Sequence, residues 1–406
     1  MARLTTQRIR TATSSTISSV NQTAIVEALR ANGPLSRQQI GELTGLSSAT
    51  VNRLTASLVK EGIATQLGQG VSTGGRPPVL LEYTGSSKVV ACLQVQADST
   101  RGALIDFDAH FVYREDVGFE DLPPVGGTVG TDDDERLART LALLDTLLEV
   151  AVGRGTPCAG VGVSVPGVVR MPEGIVERIP EMGWPEVPLL DMVSSRCDVP
   201  VVVENDANAL AVGESQLGVG VGVSSLVAIH LANGLGAGII SNGQLHRGFS
   251  NEAGEIGYLL LGPQSLTRRF ELVGDLEGQV GAMALARSAL DRGMDVPEQV
   301  PLRADEVFAR ARRGDGVAEE LATEFLDKVA MAVGAIAVIL DPELIVFDAT
   351  LAATAETTIP GIRDRLAGRI THVPRIEPAM FGEDGVLMGI AELASHEARG
   401  LTWVAR

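Results

Sequence analysis

From about residue 88 to the C-terminus, short apolar runs alternate with helical patterns through two successive cycles. Such alternation demands strands buried in sheets and covered by helices, which makes the body an α/β structure. In the first cycle, Val89 to Val95 and Ala103 to Phe107 read as strands joined by a turn. Arg136 to Val152 is an amphipathic helix, and Gly160 to Val165 and Val201 to Val203 are buried strands. In the second, strands fall at Ser225 to Ile229, Gly238 to Ile240 and Leu344 to Phe347, with helices after Leu272 and from Ala318 to Leu340. Two cycles of similar content predict two lobes with a cleft between them.

A chain of 406 residues exceeds one ordinary core, and 45% hydrophobic with 21% charged residues is a soluble globular composition. The longest apolar run, Val329 to Leu340, is too short to span a bilayer and reads as a core helix. Arg3, Arg8 and Arg10 precede no apolar segment, so no secretory signal is expected. Cys92, Cys158 and Cys197 are widely spaced and form no CxxC pair, which argues for a reducing compartment and against disulfides or a cysteine zinc site. A cytoplasmic protein without a membrane partner is the expectation.

The net charge of −18 is unevenly divided. Residues 1–88 hold nine Lys and Arg against four acids, a charge of +5 that leaves −23 on the remainder. A basic head on an acidic body gives a phosphate backbone one face to approach.

Residues 1–20, rich in Ser, Thr and Arg, read as a mobile tail, and order is expected from Asn21 to about residue 85. Ile25, Val26 and Leu29 form the inner stripe of a first helix that Asn32-Gly33-Pro34 stops. Ser36 caps a second helix ended by Gly45, and Ser47 or Ser48 caps a third, with Val51, Leu54 and Leu58 inward and Gly62 at its end. This is the helix-turn-helix pattern. Outward on the third helix stand Ser48, Ala49, Thr50, Asn52, Arg53 and Ser57, small or hydrogen-bonding groups suited to base edges and phosphates. Arg37 opens the second helix and joins the candidate DNA contacts. Ile63 to Thr65 and Val79 to Tyr83 then form a hairpin wing, whose Gly74-Gly75-Arg76-Pro77 tip offers Arg76 to a minor groove.

Four segments of the body carry a family resemblance: Gly162-Val163-Ser164-Val165-Pro166-Gly167 leading to Gly183-Trp184, Glu204-Asn205-Asp206-Ala207-Asn208-Ala209, Gly234-Leu235-Gly236-Ala237-Gly238 as a turn between strands, and Ala253-Gly254-Glu255-Ile256-Gly257. In this order, behind the head, they resemble the ROK family of repressors, open reading frames and sugar kinases. The resemblance implies a winged helix-turn-helix followed by a two-lobed, actin-like domain of the sugar-kinase and ribonuclease H-like type over residues 88–406. One lobe is expected at about 88–206 with a C-terminal helix at about 387–399, the other at about 207–386.

An amide and a carboxylate side by side, Asn205 and Asp206, can take neighbouring sugar hydroxyls, and in a kinase such an Asp also accepts the attacking hydroxyl's proton. Asn-Asp after a strand is equally an ordinary helix start, and both readings stand. Glu255, carried on close-packing glycines, is expected to bind further hydroxyls, and Glu271 matches a family glutamate that touches sugar.

Departures from the family pattern bear on activity. The phosphate turn falls on Gln94-Val95-Gln96-Ala97-Asp98, so an acid has become Gln94, a glycine Gln96 and a hydroxyl Asp98. Asp348-Ala349-Thr350 stands where a glycine run would flank adenosine. Carboxylates facing phosphates repel them, so neither ATP binding nor kinase activity is expected, and no cofactor is assigned. The histidine of the family's zinc motif is Tyr258, and the loop Gly262 to Phe270 holds no Cys, so no metal is expected; Tyr258 remains available to a sugar. Glu181 stands where sugar binders show Asn and would alter which ligand fits.

Taken together, the sequence predicts a transcriptional regulator, a repressor by expectation, that binds double-stranded operator DNA as a homodimer or homotetramer. A sugar-like effector in the cleft would control it. Two other readings stay open: a ROK sugar kinase with an added head, and a regulator that responds to no ligand.

Overall fold

The computed structural model describes residues 14–69, 78–122, 132–177, 179, 182, 184, 186–232, 234–271, 273–297 and 300–399. They divide into two compact units, one holding the head up to Lys88 with residues from His396, the other Val89–Ser395.

In the head, α1 (Ser14–Asn32) begins well before Asn21, so the tail expected over residues 1–20 is helical from Ser14. Ser and Thr are weak helix formers but not breakers, and no Gly or Pro stands between Ser14 and Asn32 to stop the helix running back. β1 (Leu35–Ser36) leads into α2 (Arg37–Thr44), where Ser36 and Gln39 form a capping box and Gly45 closes the helix at φ 68°. α3 (Ser48–Lys60) is capped by the Ser47 side chain on Thr50 N. β2 (Ala64–Gln69) and β3 (Val79–Tyr83) form the antiparallel wing, and β1 adds to its other edge in the order β1-β3-β2. Ile25, Val26, Leu29, Ile40, Val51, Leu54, Leu58 and Leu81 make one core, each burial contributing about 1.5–3 kcal/mol.

The first lobe of the body is a five-stranded sheet in the order β10-β7-β4-β5-β6. β4 (Val89–Val95), β5 (Ser99–Asp106) and β6 (Phe111–Gly118) run antiparallel, while β7 (Cys158–Val165) and β10 (Val201–Asn205) are parallel to β4 and to each other. β6 has no apolar run to announce it: it is a half-exposed edge strand carrying Arg114, Glu115 and Asp116. α4 (Asp132–Gly153) buries Leu141, Leu144 and Leu147 on this sheet. A ribbon of β8 (Val169–Arg170) and β9 (Ile175–Val176), then α5 (Leu189–Ser194), precede β10.

After α6 (Asp206–Gln216) comes the second sheet, ordered β13-β12-β11-β14-β15: β11 (Leu226–Leu231), β12 (Leu235–Ser241), β13 (Gln244–Leu245), β14 (Leu344–Phe347) and β15 (Arg375–Pro378). α7 (Glu277–Val280), α8 (Ala282–Asp291), α9 (Ala304–Ala311), α10 (Gly316–Leu340), α11 (Ala349–Ala352) and α12 (Ala355–Leu366) accompany it. α13 (Gly385–Ala398) returns to lay Ile390 and Ala394 against Gly162 of β7.

Two expectations change here. The glycine stretch expected as a turn is mostly strand β12. Its glycines serve packing: a Cβ on Gly238 would stand 2.1 Å from Ala207 O and 2.5 Å from Ala211 Cβ, so only bare backbone lets α6 lie on β12. The run Val329 to Leu340 is a core helix only in its first part. Val329, Val333 and Ile336 are buried, but the last turn outruns that stripe and leaves Val338 65% and Ile339 74% exposed.

Gly238→Ala should therefore push α6 off its sheet and destabilise the body by about 1–3 kcal/mol. Gly316→Ala, in a helix with no heavy atom within 4 Å of the added Cβ, is the control. Calorimetric melting of both variants checks this; equal melting temperatures would remove the packing role of Gly238.

Candidate functional site

β10 passes into α6 without a loop, so Asn205 ends the strand and caps the helix. Its Oδ1 accepts from Asn208 N at 3.2 Å and its Nδ2 donates to Gly167 O at 3.0 Å. The helix-cap reading of Asn205 thus holds, and its second amide hydrogen is left for a ligand. The next residue, Asp206, is 5% exposed; its Oδ1 has no hydrogen-bond partner, and its Oδ2 lies 3.9 Å from His230 Nε2. Burial raises the Asp206 pKa to about 6 against the pull of His230.

His230, at the end of β11, donates Nδ1–H to Asp348 Oδ2 at 3.0 Å. Burial lowers the His230 pKa, but the bond to Asp348 and the charges of Asp348 and Asp206 outweigh it and leave it raised. Asp348 itself is buried, accepting Leu231 N at 2.7 Å and Leu351 N at 3.1 Å as the cap of α11. The sequence places Asp348 as a charge where adenosine would be flanked. Its carboxylate is instead satisfied within the protein by the imidazole and two backbone amides.

The opposite wall is the segment after β13. Gly254, at φ 96°, bonds its carbonyl to Ala237 N at 2.8 Å, and a Cβ there would stand 1.7 Å from Ala237 O. Only glycine permits this approach, which carries Glu255 to the cleft. Crowding by the walls and the charges of Glu252 and Asp206 push the Glu255 pKa up.

Asn205, Asp206, Glu255, Tyr258 and Glu271 line one cleft of about 620 Å³. Tyr258 is 42% exposed there, not a buried aromatic. Glu181 and Arg76 lie outside the described residues. Sequence reasoning missed Glu177, His230, Glu252 and Glu277 on the same walls. It also missed an ion pair between a buried glutamate and a half-buried arginine: Glu204 Oε2 accepts from Arg247 Nε at 2.9 Å and Nη2 at 2.6 Å, while its Oε1 accepts from Asn205 N at 3.0 Å and Asn208 Nδ2 at 3.0 Å. This pair fixes the strand end from which Asn205 and Asp206 project. Glu204 stood inside the quoted motif, but nothing in the sequence pointed to Arg247.

The phosphate turn fits a nucleotide poorly. Gln94 is buried and accepts from Arg101 Nη1 at 3.4 Å, and Gln96, whose Oε1 accepts from Ser99 Oγ at 3.3 Å, lines the cleft in place of the glycine that a phosphate turn uses. Asp98, expected to face the phosphates, is exposed, bonded by Ser99 Oγ at 3.1 Å, and is not among the described lining residues. The zinc that the family pattern implies also lacks its ligands. In place of thiolates, Asp275 gathers the loop by accepting Leu261 N at 2.8 Å, Ser265 Oγ at 2.5 Å and Gln279 Nε2 at 3.0 Å.

On the head, Ser48, Asn52 and Arg53 are exposed on α3. Thr50 is half-buried with Oγ1 2.9 Å from Ser47 Oγ, Ser57 donates to Glu61 at 2.5 Å, and Arg37 Nε donates to Thr55 Oγ1 at 3.0 Å. The three exposed residues are thus the ones free to meet a duplex without first breaking an internal bond.

The raised pKa of Asp206 makes a pH-dependent stability term. Folding favours its protonated form, so that contribution is full below about pH 4 and is lost as pH rises through about 6. Asp206→Asn stays neutral throughout. It should melt with the wild type near pH 4 and several degrees higher near pH 8, a difference on the order of 2 kcal/mol. Superimposable melting curves at both pH values would show that this carboxylate is not desolvated.

Comparison with known proteins agrees with this geometry. Residues 90–397 match the ROK family, and residues 19–65 match a winged helix-turn-helix DNA-binding family. The chain is 28% identical over 338 residues to the xylose repressor of Caldicellulosiruptor bescii, covering 80% of this chain and 82% of that one. It is 28% identical over 295 residues to the glucokinase of Thermotoga maritima, covering 67% of this chain and 89% of the enzyme. A crystal structure described as a ROK family transcriptional regulator, a homolog of the E. coli MLC protein, superposes with a TM-score of 0.80 at 20% identity, covering 95% of this chain and 98% of that one. With its family match spanning most of its length, behind a winged helix-turn-helix head, the chain belongs to the ROK family.

Proposed function

We propose that this protein is a DNA-binding transcriptional repressor whose operator affinity is set by a sugar in the cleft, and that it is not a kinase. The observation that carries the reading is that one chain joins a helix-turn-helix exposing Ser48, Asn52 and Arg53 to a cleft that keeps Asp206 and Glu255 without a usable phosphate turn. The relatives that match over about four-fifths of the chain include a xylose repressor, which makes a pentose or hexose the first effector to test.

The cleft chemistry supports a neutral ligand. Its described lining residues include six carboxylates (Glu177, Asp206, Glu252, Glu255, Glu271 and Glu277) and no Lys or Arg. Carboxylates accept hydrogen bonds from a ring of hydroxyls, whereas a phosphate in the same space would be repelled. Asp206 binds ligand here and does no proton transfer, because an unaligned nucleotide gives a base nothing to act on.

In this reading Arg53 holds a phosphate or base, Ser48 and Asn52 face the major groove, Arg37, Thr50 and Ser57 lie beside the backbone, and Arg76 enters the minor groove at the wing tip. The protein works in the cytoplasm as a homodimer or homotetramer on a two-fold operator. No described helix is long and apolar enough to cross a membrane.

A duplex selected from a random-sequence pool supplies the operator for testing. Arg53→Ala should weaken its binding by about 1–3 kcal/mol without lowering the melting temperature, and wild-type affinity should fall steeply with salt. The effector is sought by thermal shift with D-xylose, D-glucose, D-glucosamine and D-glucose 6-phosphate, followed by gel shifts with any that bind. A sugar that raises the melting temperature and lowers operator affinity is the expected result. Wild-type operator binding by Arg53→Ala, or no effect of any sugar at millimolar concentration, would contradict the corresponding half of the reading.

A further inference from the structure

His230 and Asp348 form one unit. They lie 118 positions apart in sequence and are joined Nδ1 to Oδ2 at 3.0 Å. Asp348 is held by two backbone amides as well, so the imidazole it orients is fixed. The other ring nitrogen, Nε2, has no hydrogen-bond partner, and neither does Asp206 Oδ1. His230 and Asp206 both line the cleft.

The separation of Nε2 from Asp206 Oδ2, 3.9 Å, is too long for a hydrogen bond between them. It does admit one oxygen atom at about 2.8 Å from each. With Nδ1–H committed to Asp348, the protonated ring offers Nε2–H as a donor, while the ionised Asp206 accepts. A hydroxyl is the group that can receive the one and donate to the other.

We propose that His230 is a specificity-determining ligand residue, whose Nε2 and the Asp206 carboxylate together take a single hydroxyl of the effector, with Asp348 as the residue that positions the ring. This rests on the sugar-effector reading and deepens it, since it names which groups read the ligand. It also makes binding dependent on pH. The paired state needs Asp206 ionised, above about pH 6, and His230 protonated, below its own raised pKa. The remaining charged groups among the described cleft residues, Glu177, Glu252, Glu255, Glu271 and Glu277, are all carboxylates, and the charges that raise the His230 pKa are those of Asp348 and Asp206.

The test uses the full-length chain and whichever of D-xylose, D-glucose and D-glucosamine binds most tightly, titrated calorimetrically from about pH 5 to about pH 9. Wild-type affinity should be bell-shaped in pH. His230→Ala should weaken binding at least about tenfold at neutral pH, as expected for loss of a charge-assisted bond. His230→Gln, which keeps a donor near the same place but does not titrate, should recover most of the affinity and lose the alkaline limb. Asp348→Asn should move that limb to lower pH. Affinity within about twofold of wild type in His230→Ala, or an unchanged alkaline limb in His230→Gln, would overturn the assignment of His230 while leaving the effector reading intact. Binding of none of the three sugars would overturn the effector reading and this inference with it.

Discussion

A carboxylate, Asp206, is held almost out of water at the first turn of α6, with one oxygen unpartnered and the other near an imidazole. Much of the body exists to keep it there. α6 lies hard on β12, which Gly238 permits, and the strand end before it is tied by the Glu204–Arg247 pair. Gly254 brings the opposite wall in to backbone contact. Desolvation at this position is unfavourable for the charged form, and stability lost at a site is the usual mark of a place kept for a ligand.

The same cleft carries changes that bear on nucleotide chemistry within the shared ROK fold. Phosphoryl transfer needs bare amides and positive charge around the phosphates. Here Gln96 lines the cleft in place of a glycine, and Asp348 is buried, capping α11 and bonded to His230. What remains is a site rich in hydrogen-bond acceptors, in a chain whose head has exposed hydrogen-bonding residues on α3. The matches to repressors and glucokinases alike reflect that shared frame.

What was legible in the sequence was local. Ser36 and Ser47 start helices through bonds to residues three positions away, and Gly45 ends one through its left-handed backbone, so the helix-turn-helix could be read directly. Asn205, Asp206 and Glu255 stand in segments that resemble ROK family motifs, and the structure brings all three to one cleft. β6 escaped because Arg114, Glu115 and Asp116 hide an edge strand, and the start of α1 escaped because Ser and Thr neither form nor break helices strongly. His230 could not have been found alone: its meaning comes from Asp348, and no local pattern joins residues so far apart. For the same reason the sequence shows Asp348 only as a charge beside the adenosine site, and not as the buried, satisfied group that it is.

The central claim is that this cleft has exchanged nucleotide chemistry for ligand sensing, and calorimetry with ATP and Mg²⁺, followed by a coupled kinase assay across common hexoses, tests it most directly. The account predicts no saturable heat at millimolar nucleotide and no turnover above an Asp206→Ala control. Micromolar ATP affinity, or turnover that Asp206→Ala abolishes, would contradict it.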